Sequence, residues 1–139
     1  AILDEIIEGN PRRALAEVRQ LLEDNDEDPA FLQARITNQI RRLLVAHEVI
    51  KNTNSRSEAS NQLAKFFPSL DRNRFPFKKL LQQAGSVDGI TCKSAIRELA
   101  HHDRRFKSGE ISNPDRNQPD VNLELIVLRL SRLFQRSTR

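Results

Sequence analysis

Between residues 72 and 79, basic and aromatic side chains interleave: Arg72, Arg74, Lys78 and Lys79 with Phe75 and Phe77. Cations neutralise phosphates and aromatic rings stack on bases, so this mixture is a candidate nucleic-acid contact. Phe77, however, also opens an apolar series with Leu80, Leu81 and Ala84 at helical spacing, which predicts a core position for it. Phe75, ahead of Pro76, is placed to staple the start of that helix. A second basic row, Arg129, Arg132, Arg136 and Arg139, recurs at steps of three and four near the end of the chain and offers the same phosphate chemistry. An ordinary solvated basic face is the simpler reading of either cluster.

Catalytic chemistry has less to work with. No Gly-rich phosphate loop is present, and no Ser–His–Asp arrangement is evident. His101 and His102 are adjacent, so on a helix they point about 100° apart and do not converge on one ligand. The three histidines, His47, His101 and His102, lack metal-ligand spacing with the single cysteine, Cys92. The expectation is no catalytic site, no cofactor and no metal.

The elements that position these residues must come from 139 residues, about one domain, with 37% hydrophobic and 30% charged side chains. That is a lean core under a heavily charged surface. One cysteine excludes an internal disulfide and fits a reducing compartment. No apolar run approaches the ~18 residues that a membrane span needs, and no signal peptide is visible, so the cytosol is the expected location. The net charge of +4 is unevenly placed: residues 1–30 carry −6 and residues 31–139 carry +10. One end favours basic neighbours and the rest acidic ones.

Helical periodicity dominates, with no sustained strand alternation. Ala1 to Ile7 reads as helix with no cap before it, and the chain holds no Met; both suggest a piece excised from a longer protein. Asn10-Pro11 is a helix start, followed by the stripe Ala14, Leu15, Val18, Leu21 and Leu22. Asp28-Pro29 repeats the device and opens a helix to about Ile50. One face of it bears Leu32, Ile36, Ile40, Leu43, His47 and Ile50, and a second bears Phe31, Val45 and Val49, as suits a helix between neighbours. His47 in that stripe is expected to be a hydrogen-bonded core histidine. A short helix follows Ser57 and ends at Pro68, and the Phe77 helix is expected to end at Gly85. The next helix carries Cys92, Ala95, Ile96 and Leu99, with Cys92 acting as a small hydrophobe. Residues 110–119 form a long polar loop. The last helix, from about Val121, has Leu123, Ile126, Val127, Leu130 and Phe134 on its core face. Val121, Leu125 and Leu128 lie opposite, so its first half is apolar all round and either central or pressed against another subunit. The sum is an all-α bundle of six to seven helices in a single domain.

Several segments, in order, resemble the C-terminal helical domain of the delta subunit of bacterial DNA polymerase III. They are Pro11 to Leu15 with Arg19 to Leu22; Glu27-Asp28-Pro29; Gln39 to Leu44 with Arg41 and Arg42; Phe75 to Ala84 with Phe77; Asp103, Lys107 and Gly109; and Leu123-Glu124-Leu125 with Leu128. The resemblance implies a collar domain of the sliding-clamp loader, packed in a ring with the collars of the delta-prime and gamma/tau subunits. It also implies that residues 1–9 are the tail of a linker helix from an AAA+-like module, and that the beta clamp is contacted only through that N-terminal part. The candidate subunit interface is then Val121, Leu125, Leu128, Arg129 and Arg132. Candidate nucleic-acid contacts are Arg72, Arg74, Lys78, Lys79 and Arg136. Two alternatives stay open: a helical nucleic-acid-binding module, and the collar of a related clamp-loader ATPase.

Overall fold

Proline and short polar caps divide the chain into helices. The structure, a computed structural model, describes residues 2–70, 74–107 and 121–137, with the side chains at 75, 105–107 and 137 left undescribed. Seven helices make up the described residues: α1 (Ile2–Ile7), α2 (Pro11–Glu23), α3 (Pro29–Lys51), α4 (Arg56–Phe66), α5 (Phe75–Ser86), α6 (Gly89–Lys107) and α7 (Val121–Ser137). No strand occurs among the described residues, so the all-α expectation holds. The expected loop at 110–119, Arg72, Gly109 and Arg139 lie outside the described residues.

The caps explain the boundaries. Asp28 accepts a hydrogen bond from the Ala30 N–H at 3.0 Å, ahead of Pro29. Ser55 accepts from the Glu58 N–H at 3.1 Å, while Glu58 accepts from the Asn54 N–H at 3.2 Å, close to a capping box. Asp88 does the same for α6, accepting from the Ile90 N–H at 3.0 Å. Asn10 departs from expectation: it occupies the N-cap position of α2 but its side chain caps nothing. The reason lies one helix earlier. α1 closes with Gly9 N–H on Ile6 O (3.0 Å) and Asn10 N–H on Glu5 O (2.9 Å), a Schellman motif, and the Asn10 amide turns back to donate to Glu5.

The core comprises two linked groups. α3 packs on α4, α5 and α6; α7 packs on α1, α2 and α6; and α1 packs on α2. α6 thus joins both halves. Leu32, Ile36, Ile40, Leu43, Ala46 and Val49 form the buried face of α3, and Leu123, Ile126, Val127, Leu130 and Phe134 that of α7. Each fully buried aliphatic side chain contributes about 1.5–3 kcal/mol, so these two rows supply much of the drive to fold. Of the second apolar face expected on α3, Val49 is buried and Val45 packs partly against the core, whereas Phe31 is 61% exposed. Phe31 stands in the first turn of α3, whereas the polar contacts of α5 and α6 with α3 fall near its other end, at His47 and Glu48. α5 runs one residue past Gly85, to Ser86.

Candidate functional site

The basic–aromatic cluster divides when placed on α5. Phe77 is 1% exposed, a core residue as its spacing predicts, and is not available to stack on a base. Lys79 is half-buried and pairs with Asp4 of α1, which also accepts from Gln83 at 2.8 Å. Burial raises the Asp4 carboxyl, but the hydrogen bonds from Lys79 and Gln83 outweigh it and leave the group below its usual range. Lys79 is therefore committed to holding α1 against α5. Lys78 and Arg74 remain exposed. Of the four candidate cations, Lys79 is taken up within the fold, and Arg72 lies outside the described residues.

The α7 candidates have a clearer placement. Val121 is 51% exposed and Leu125 44% exposed, while Leu128 is half-buried. Val121 and Leu125 are thus not covered by α1 or α2, the competing explanation for an all-round apolar helix. Two ion pairs flank them. Arg19 of α2 donates to Glu124 at 2.6 Å, a bond that holds the guanidinium above its ordinary pKa. Arg129 donates to Glu98 of α6 at 3.1 Å. Arg132 and Arg136 are exposed. The structure brings Val121, Leu125 and Arg132 onto the outward side of one helix, and turns Arg129 towards α6.

The helix order, the Asp28-Pro29 break, the arginine-bearing α3 and the Phe77 helix then meet one comparison. Residues 1–130 match the family described as the DNA polymerase III delta subunit, C-terminal domain. This chain belongs to that family. No curated protein and no solved structure is matched. The match is to the C-terminal domain of the delta subunit, a component of the clamp loader, which is not itself a catalytic domain.

Of the quoted motif positions in the delta C-terminal domain, Phe77 and Arg42 make packing contacts. Arg42 lies over the Phe67 ring at 5.7 Å, a cation–π contact joining α3 to the end of α4. Arg41 is exposed, Asp103 half-buried, and Lys107 ends α6 with its side chain undescribed. Among the described residues no group of His, Cys, Asp and Glu could hold a metal ion, and no helix is long and apolar enough to cross a membrane. His102 is buried and His101 exposed, so the two diverge. Sequence reasoning missed Asp4, Gln83 and Gly9, which matter through partners far along the chain. It also missed an exposed basic row on α6, Lys93, Arg97 and Arg104, whose spacing of four and seven was there to be read.

Proposed function

We propose that this domain is an oligomerisation module. It holds the delta subunit in the clamp loader through the exposed side of α7, against the collar domain of a delta-prime or gamma/tau subunit. The observation that carries this is the pair Val121 and Leu125. Both are large apolar side chains left about half exposed, on a helix whose other sides already pack on α1, α2 and α6. Leu128 and Arg132 extend the patch, giving it the apolar centre and basic rim of an interface. Contact with the beta clamp belongs, in this reading, to an AAA+-like module joined to α1, and the assembly works on DNA in the cytosol.

Co-purification with the delta-prime and gamma/tau collar domains, by size-exclusion chromatography with light scattering, tests the reading. The wild-type chain should enter a mixed complex. Val121→Asp with Leu125→Asp should remain folded by circular dichroism and fail to enter it. A folded double variant that assembles normally would sink the proposal.

A further inference from the structure

Outside the apolar patch, the surface shared by α6 and α7 is a second, differently built feature. On α6, Lys93, Arg97 and Arg104 share one exposed line, eleven residue steps or roughly 16 Å long. On α7, Arg129 and Arg136 share a line, with Arg132 between them. The Glu98–Arg129 bond at 3.1 Å joins the two helices side by side. Arg97 precedes Glu98 in sequence and so stands about 100° round α6 from that seam, on the solvent side of the helix. Arg97, Arg104, Arg132 and Arg136 form no ion pair or hydrogen bond among the described residues. Lys93 has only a long approach to Glu48, 3.9 Å. By contrast, Arg19, Arg35, Lys79 and Arg129 are each taken by a carboxylate.

We infer that the α6–α7 face binds the phosphate backbone of duplex DNA, with Arg97, Arg104 and Arg136 as its principal contacts and Lys93 beside them. Guanidinium groups suit this partner because they match phosphate oxygens with paired donors and stay charged at all working pH values. The line on α6 covers about five nucleotides of one strand at 3.4 Å axial rise each. Duplex rather than single-stranded nucleic acid follows from what stands between the cations. The exposed apolar neighbours on α7 are the aliphatic Val121 and Leu125, and Phe134, the aromatic residue of α7, is buried. Single strands are held largely by stacking on exposed rings, which the described part of this face does not present. The α6 residues of this face lie outside the proposed interface, so their contribution is separable from the assembly role.

The test is fluorescence anisotropy of the whole chain with a mixed-sequence duplex of about thirty base pairs, and with a single strand of equal length, across a salt series from about 50 mM. Wild-type protein should prefer the duplex and lose affinity steeply with salt. Arg97→Gln with Arg104→Gln should weaken duplex binding about tenfold or more at low salt and lower the log–log salt slope by about 2. Arg136→Gln with Lys93→Gln should act in the same direction, and Lys65→Gln on α4 should change nothing. Unaltered melting curves would keep folding out of the comparison, and normal co-purification with the collar domains would keep assembly out of it. The inference is overturned if the wild type does not bind duplex at low salt, if the single strand binds at least as well, or if the Arg97/Arg104 pair binds like wild type. Loss of assembly in that pair with DNA binding unchanged would also overturn it, and would assign the face to an acidic protein surface.

Discussion

Gly9 stands against the backbone of Gln135: a Cβ built on Gly9 would lie 2.6 Å from the Gln135 Cα. The same residue has φ +74°, in the left-handed region that its Schellman motif requires. Two separate constraints, one local and one from α7, thus demand glycine at the turn between α1 and α2. Gly9→Ala should cost about 2 kcal/mol or more, lowering the thermal midpoint by roughly 5–10 °C. Gly9→Asn distinguishes the causes, since Asn tolerates positive φ but still brings a Cβ to Gln135. If Asn restores wild-type stability, the close approach to α7 is not the governing constraint.

Asp4 makes the docking of α1 pH-dependent. Its folded pKa lies below its ordinary value because Lys79 and Gln83 favour the carboxylate more than burial opposes it. A depressed carboxyl pKa contributes stability above the unfolded pKa, near 3.9, and that stability is lost as pH falls through the folded value. Asp4→Asn should therefore be less stable than wild type by about 1 kcal/mol near neutral pH. The difference should shrink below about pH 4 and vanish in stronger acid. Urea melts of both proteins between acid and neutral pH measure this. A gap that persists undiminished in acid would show that Asp4 acts by shape and not by charge.

Cys92 should be silent as a nucleophile. It is fully buried, and burial, with smaller effects from Asp88 and Glu48, pushes its thiol up to about 11. The thiolate is the reactive form, so an aromatic disulfide reagent at pH 8 should label native protein slowly and denatured protein at once. The raised value also means that stability falls as pH climbs from the ordinary thiol range towards 11, since the unfolded thiol ionises first. Rapid labelling of native protein would show that α6 opens locally at this point.

Much of this architecture is legible because its causes are local. Asp28-Pro29 caps and starts α3 within three residues, and the 3.6-residue period of α7 picks out all five of its buried apolar core residues. Phe77 shows why a mixed motif needs both readings: its neighbours suggest stacking on bases, but its period assigns it to the core, and period decides. What was not legible depends on partners distant in sequence. Nothing near Lys79 indicates that it meets Asp4, 75 positions away, so a structural lysine read as a phosphate contact. Phe31 errs the other way. It has the type of a core residue, but Leu32, fully buried beside it, takes the inward position and leaves Phe31 about 100° round the helix, 61% exposed.

The pair His47 and Ala84 shows how a core histidine is put to structural use. α5 ends at Ser86, so the carbonyls of its last turn have no partner within the helix. Ser86 Oγ donates to Gln83 O at 2.9 Å, and His47 Nδ1 donates to Ala84 O at 3.0 Å from α3. A carbonyl only accepts, so the bond places the proton on Nδ1. The other ring edge faces Gly89, where an added Cβ would lie 2.8 Å from His47 Nε2. His47→Leu keeps the apolar bulk but strips Ala84 O of its donor, and should cost about 1–3 kcal/mol in urea denaturation. Gly89→Ala should also destabilise, despite its better helix propensity, by pushing the ring off Ala84. Because both changes break one bond, the double variant should lose clearly less than the sum of the two. Strict additivity would mean that Gly89 does not hold the imidazole in place.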